Sequence, residues 1–224
     1  RAEQLIATFL IRPHPDATEM MSRAAFDWLL IDSEHAVTGL ETMTVMLQAM
    51  NGTDCTPIVR PEWNDIVVIK RILDIGAHGV LIPWVNTREE AEYAVEACKY
   101  PPVGLRGYGP RRAKMLDPDY MQTANDEIMV IVQIETQDAV KNIDEILSVD
   151  GIDACYIGPN DLCLSYGNIP PTGITRNTWQ HSIRSWKLPT KPENLPGYSR
   201  LRIIYNGRKK KVSPSIPWMI RIRS

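Results

Sequence analysis

The sequence predicts an α/β protein whose strands form a parallel sheet, closed as a (β/α)8 barrel. Three observations carry this. Short apolar runs alternate with amphipathic stretches through residues 1–171, the pattern of repeated βα units. Runs such as Phe26–Asp32 (FDWLLID) and Ile128–Glu135 (IMVIVQIE) are almost continuously apolar, as strands covered on both faces must be. Polar residues then stand where these runs end: Asp32, Arg60, Glu135 and the Gly158–Asp161 turn. A barrel converges all such ends on one face, whereas an open doubly wound sheet gathers only the few beside its switch point.

Taken in order, Leu5–Leu10 reads as the first strand and Pro15–Arg23 as a helix with Asp16 in its first turn. Phe26–Asp32 is the second strand. Gly39–Met50 follows with Leu40, Met43, Leu47 and Met50 at helical spacing. Pro57–Arg60 is the third strand, and Asp65–Ile75 a helix ended by Gly76. Gly79–Pro83 is the fourth. Thr87–Cys98 is a helix with Thr87 as N-cap and Glu90 three residues on, a capping box. Gly104–Gly107 is read as a short fifth strand, followed by a loop rich in Gly, Pro and Arg. Ile128–Glu135 is the clearest strand, Asp138–Leu147 a helix, and Ala154–Gly158 a seventh strand.

After Pro171 the pattern stops. Residues 172–224 hold 12 Lys or Arg and one acid, Glu193, whereas residues 1–171 hold 13 basic and 26 acidic residues. The division expected is therefore a barrel domain over residues 1–170 and a basic, Pro-rich, irregular tail over 171–224. The eighth strand is not readable; Ile203–Tyr205 and Ile216–Ile222 are apolar but short. Such an abrupt change is expected of a shifted reading frame, a retained intron or an alternative exon. Arg208–Lys211 reads as a solvated basic patch, with nucleic acid a weaker reading.

Composition excludes several classes. With 44% hydrophobic and 23% charged residues in 224, the chain fits a globular protein and neither a collagenous repeat nor a wholly disordered one. No apolar run approaches the ~18 residues that span a bilayer, and the N-terminus lacks the pattern of a secretory signal. Cys55, Cys98, Cys155 and Cys163 form no C-x-x-C pair. Reduced thiols in a cytoplasmic protein are expected.

Glu135 and Asp161 follow neighbouring strands, so a barrel brings both carboxylates to one mouth. Two oxygen ligands there suit Mg²⁺, Mn²⁺ or Co²⁺; equally, Glu135 could face solvent and Asp161 cap a helix. His35, three residues after Asp32 in DSEHA, suits a general base or a hydrogen-bonded loop residue. Arg60 suits a carboxylate or phosphate clamp, or an ion pair with Glu62 or Asp65. The GLRGYGPRR segment, Gly104–Arg112, suits an anion-binding loop or a basic surface. No lysine sits at a strand end, which argues against a Schiff-base aldolase, and no G-x-S-x-G is present.

DSEHA, PIVRP, IKRILDIGAHGVLIPWVNTREEAE, YPPVGLRGYGPRRA, VIVQIET and YIGPNDLCLSYG together resemble the HpcH/HpaI aldolases, over about residues 5–168. The resemblance implies a (β/α)8 TIM barrel of the phosphoenolpyruvate/pyruvate-binding type. It implies a class II aldehyde-lyase that cleaves a 4-hydroxy-2-oxo acid to pyruvate, or a related oxo acid, plus an aldehyde, through a metal-stabilised enolate. By it, Glu135 and Asp161 match the metal ligands. Arg60 matches the residue at the keto oxygen, and His35 the base, with Asp32 and Asp74 as acidic partners. Gln133 matches a residue lining the substrate pocket, and Gly158, Pro159 and Asn160 the backbone that holds the pyruvate carboxylate. The family is expected to be hexameric through swapped C-terminal helices; this chain lacks matching sequence there, so a monomer or soluble aggregate is expected instead. The competing expectation is a catalytically impaired, truncated homologue with a regulatory role.

Overall fold

The computed structural model describes residues 7–24, 26–168 and 219–221. Six parallel strands appear in chain order: β1 (Ala7–Leu10), β2 (Trp28–Asp32), β3 (Thr56–Arg60), β4 (Gly79–Ile82), β5 (Met129–Ile134) and β6 (Ala154–Ile157). Each pairs with the next, and helices α1 (Pro15–Ser22), α2 (Leu40–Ala49), α3 (Ile66–Asp74) and α4 (Arg88–Cys98) cross over between the first five.

The cap expected at Thr87 is formed, and α3 has one as well. Asp65 accepts from the N–H groups of Val67 (2.7 Å) and Val68 (3.0 Å) at the start of α3. Thr87 accepts from Glu90 N–H at 3.2 Å, and the Glu90 carboxylate reaches back to Asn86 N–H at 2.6 Å. These contacts satisfy donors that a helix start leaves open.

Strand alternation divides the core in two. Leu29, Ile31, Val59, Val80, Val130 and Val132 face the helices. Trp28, Leu30, Ile58, Leu81, Ile131 and Tyr156 form a second cluster with Ala7, Phe9 and Met129 on the opposite face. That second face is concave. Phe9 on β1 and Tyr156 on β6 lie with ring centroids 5.8 Å apart, although five strand spacings of ~4.8 Å would separate them in a flat sheet. The sheet is thus a curled half-barrel, and the second cluster fills its inside.

Several expectations are corrected. Gly104–Gly107 is not a strand. Gly104 packs against the end of α4, where a Cβ would lie 2.6 Å from Glu96 O, and Arg106 N–H bonds Lys99 O at 2.9 Å. The segment after it is not a continuous loop: it forms α5 (Arg111–Leu116) and α6 (Tyr120–Glu127). The helix expected over Asp138–Leu147 is broken at Asn142 into α7 (Gln137–Lys141) and α8 (Ile143–Leu147). The full eight-stranded barrel is not formed among the described residues, because removing the Gly104 segment leaves six parallel strands. The irregular tail expected over 171–224 lies outside the described residues except for β7 (Met219–Arg221), which pairs antiparallel with β6. No helix among the described residues is long and apolar enough to cross a membrane. All four cysteines are free and buried.

Candidate active site

The period-two alternation that puts Leu30 and Ile58 inside the half-barrel puts Asp32 and Arg60 there too, one step further toward the strand ends. The two are register partners on β2 and β3. Arg60 Nε donates to Asp32 Oδ1 at 2.9 Å and Nη2 to Oδ2 at 2.7 Å. The same alternation on β5 carries Ile131, Gln133 and then Glu135 inward. Arg60 Nη1 lies 3.5 Å from Gln133 Oε1, and its guanidinium carbon sits 5.3 Å over the Phe9 ring. Arg60, Asp32, Gln133 and Glu135 are all buried. The ion pairs expected for Arg60 with Glu62 or Asp65 are replaced by pairs with Asp32 and Glu34.

Glu135 does not face solvent. One oxygen accepts from Trp84 N–H at 2.8 Å, and the other from the Gln133 amide. Burial pushes its carboxyl up to about 7, against those two hydrogen bonds, with the nearby charges of Glu34 and Asp161 adding to the rise. Asp161 lies in the first turn of α9 (Pro159–Ser165), whose N-cap is Gly158 with no side-chain cap.

Glu34 is the residue that sequence reasoning missed. Its Oε2 lies 3.0 Å from Arg60 Nη1 as an ion pair, yet accepts no well-aligned hydrogen bond. Burial raises it to about 7 despite Arg60, with Asp32 and Asp161 contributing. It lies past the end of β2, in the turn that Asp32 folds, so strand alternation gave no signal for it.

The turn itself is built by Asp32, whose Oδ1 accepts from the N–H groups of Glu34 (3.0 Å) and His35 (3.3 Å). Burial opposes ionisation of Asp32, but the hydrogen bond and charge of Arg60 outweigh it and hold the carboxyl below its ordinary range. The His35 ring is exposed, with Nε2 3.7 Å from Glu34 Oε2. Glu34, rather than Asp32, is therefore the acid beside the imidazole.

Two expectations depart from the geometry. Asp74 ends α3, and the turn after it returns to the start of β3, where His78 N–H bonds Pro57 O at 2.9 Å. It therefore lies at the opposite end of the sheet from Arg60 and pairs with the buried Arg106 at 2.8 Å; the fold of one chain does not bring it to His35. Arg106 and Arg112, which bonds Ile75 O and Asn51, lie at that same end, so these two arginines of the GLRGYGPRR segment stand away from the cluster. Of the Gly158–Asn160 backbone, the Gly158 N–H is spent on Ile134 O at 3.0 Å and Pro159 has none. Asn160 alone keeps one to offer.

No three His, Cys, Asp or Glu side chains converge as a closed metal cage among the described residues. The donor chemistry nonetheless fits a divalent cation in an open site. Glu135 and Asp161 supply hard oxygens within electrostatic reach of each other, and burial together with the neighbouring carboxylates raises the Glu135 carboxyl.

A buried arginine and several carboxylates thus gather at the strand ends of a parallel half-barrel. Residues 5–211 match the HpcH/HpaI aldolase/citrate lyase family, and the chain belongs to it. It is 47% identical over 156 residues to the 4-hydroxy-2-oxo-heptane-1,7-dioate aldolase of Klebsiella pneumoniae subsp. pneumoniae, covering 68% of this chain and 59% of that protein. The enzyme of the same name from Escherichia coli is 46% identical over 155 residues, with 67% and 59% covered. The chain thus spans about 59% of the length of these relatives. Among solved structures, an HpcH/HpaI aldolase/citrate lyase family protein from Burkholderia cenocepacia J2315 superposes with a TM-score of 0.73 at 32% identity, over 82% of this chain and 74% of that one. Citrate synthase SbnG does so at 0.70 and 32%, over 83% and 73%.

Proposed function

We propose that the protein is a divalent-metal-dependent carbon–carbon lyase that cleaves a 4-hydroxy-2-oxo acid into pyruvate, or a related oxo acid, and an aldehyde. The observation that carries this reading is the Arg60 guanidinium, buried inside the half-barrel, fixed by Asp32 and standing beside Gln133 and Glu34. The aldolase names of relatives at 46–47% identity support it.

Glu135 and Asp161 would hold the cation, Mg²⁺, Mn²⁺ or Co²⁺. When bound, it supplies a Lewis acid for the carboxylate and keto oxygens of the oxo acid. Arg60 stabilises negative charge as it develops on the keto oxygen; its fork is already oriented, so no reorganisation is needed when the bond breaks. Gln133 holds the position of both Arg60 and Glu135. His35, exposed on a turn fixed by Asp32, takes the proton from the 4-hydroxyl. Asn160 offers a backbone N–H to the substrate carboxylate. Free buried thiols fit a cytoplasmic, reducing setting.

The test is pyruvate release from a 4-hydroxy-2-oxo acid by the purified protein with Mg²⁺ or Mn²⁺. EDTA should abolish release and added Mn²⁺ or Co²⁺ restore it. Undiminished cleavage in EDTA, with a lysine adduct trapped by borohydride and pyruvate, overturns the metal reading.

A further inference from the structure

A cleft of about 240 Å³ opens between the β3–α3 and β4–α4 connections, lined by Trp63, Asn64, Trp84, Glu89, Glu90 and Tyr93. Three of these six are aromatic and two are acids. No lysine or arginine is among them, and neighbouring Arg88 is turned to Glu92 and Ser148. None of Asp32, Arg60, Gln133, Glu135 and Asp161 lines it, so it is a separate site from the carboxylate cluster.

The aromatic walls are set in advance. The ring centroids of Trp63 and Trp84 stand 6.5 Å apart at 31°. A group seated midway lies within ~6 Å of both, the range over which a cation is drawn to an aromatic ring. Trp84 holds φ at +55°, the one non-glycine residue with positive φ among those described, and its N–H is fixed on Glu135 Oε1 at 2.8 Å. Such a conformation persists in a bulky residue only where the surroundings over-determine it. The Tyr93 hydroxyl oxygen accepts from Ile66 N–H at 3.3 Å. All three rings nonetheless stay exposed, and rings grouped openly around one cleft are a surface that a ligand covers.

The lining chemistry selects the ligand. The indole N–H and phenol O–H groups sit at the ring edges, whereas the faces carry the negative part of the ring quadrupole. Glu89 and Glu90, in the first turn of α4, bring two carboxylates. These outweigh the roughly half unit of positive charge at the helix start. A primary ammonium would need acceptors to replace its water, but the Glu90 carboxylate is taken by Asn86 N–H at 2.6 Å and Asn64 Oδ1 is buried. A quaternary ammonium needs no acceptor, because its methyl groups spread the charge over a surface that aromatic faces can cover.

We propose that the cleft binds a small molecule bearing a quaternary ammonium group, held by the faces of Trp63, Trp84 and Tyr93 and by the charge of Glu89. This ligand is a second molecule beside the oxo acid, and its site does not depend on the lyase reading.

The experiment is calorimetric titration of the protein with choline and with 3,3-dimethyl-1-butanol, which has the same shape with carbon in place of the charged nitrogen. Choline should bind at least tenfold more tightly. Trp63→Ala should weaken choline at least tenfold; Trp63 is 54% exposed, so the fold does not depend on it. Glu89→Gln, also at an exposed position, should weaken choline about threefold, and less so in high salt. Tyr93→Phe keeps the ring face and loses only the hydroxyl, so affinity should stay within about twofold. No binding of choline, equal binding of the alcohol, or unchanged choline affinity in Trp63→Ala or in Glu89→Gln overturns the proposal. A tenfold loss in Tyr93→Phe does so too, because it would make the hydroxyl rather than the ring faces the recognising group.

Discussion

Asp32 grips Arg60 edge-on, Oδ1 to Nε at 2.9 Å and Oδ2 to Nη2 at 2.7 Å, and the same Oδ1 holds the backbone of Glu34 and His35. One carboxylate therefore sets both the charge-stabilising group and the turn that carries the base. Removing it leaves a buried guanidinium half-answered by Glu34. Asp32→Ala should cost about 3–5 kcal/mol of stability, read by urea unfolding. Arg60→Lys keeps the charge but loses the fork; pyruvate release should fall roughly 10²-fold or more. Near-normal turnover in Arg60→Lys would make the pair purely structural.

Glu135→Gln and Asp161→Asn should each weaken Mn²⁺ binding, measured by electron paramagnetic resonance, and abolish pyruvate release. Far-UV circular dichroism should be unchanged, because neither side chain caps a helix or pairs strands. Retained Mn²⁺ affinity in both variants would move the cation elsewhere.

How much of this was readable follows from which residues answer to local rules. Asp32, Arg60 and Glu135 could be picked out because each interrupts an apolar strand at its end, and inward alternation carries them together. Glu34 and Trp84 could not. The first is placed by the turn that Asp32 folds, and the second by a positive φ that no residue pattern announces. Asp74 was misplaced for the converse reason: matching a motif says nothing of which end of the sheet a helix terminus reaches, whereas a helix leaving a strand's C-terminal end must finish at the other. The Gly104 segment has a strand's length but no apolar period; what fixes it is its close fit to the end of α4.

Acidity gives a prediction of definite sign. The carboxyls of Glu34 and Glu135 lie at about 7 in the folded chain, against an ordinary value of 4.5. Between those values the folded state binds more protons than the unfolded one, so stability falls as pH rises. In EDTA the melting temperature should decline from pH 5 to pH 7.5. A Glu34→Gln, Glu135→Gln double variant should flatten that slope. A melting temperature that climbs with pH across this window would show that both carboxyls are ionised throughout.

The tightest point of the site is a missing side chain. Gly158 lies inside the curl, on the same face as Tyr156 on β6. A Cβ there would meet a Glu135 carboxylate oxygen and lie 2.7 Å from Glu135 Cβ and 3.0 Å from the Gln133 amide nitrogen. All three belong to buried groups whose rotamers are held by the Trp84 N–H and by Arg60. The extra methyl cannot be absorbed at a flexible tip, so Glu135 has to turn away and lose one of its two hydrogen bonds. The backbone conformation of Gly158 itself is ordinary, at φ −84°, so alanine strains nothing locally. Gly158→Ala should therefore fold, with a stability loss of about 1–3 kcal/mol from overpacking, while Mn²⁺ affinity drops at least tenfold. Equilibrium unfolding and Mn²⁺ titration separate the two effects. Full Mn²⁺ affinity in a folded Gly158→Ala would mean that the Glu135 carboxylate, as placed against Gly158, is not the group that holds the cation.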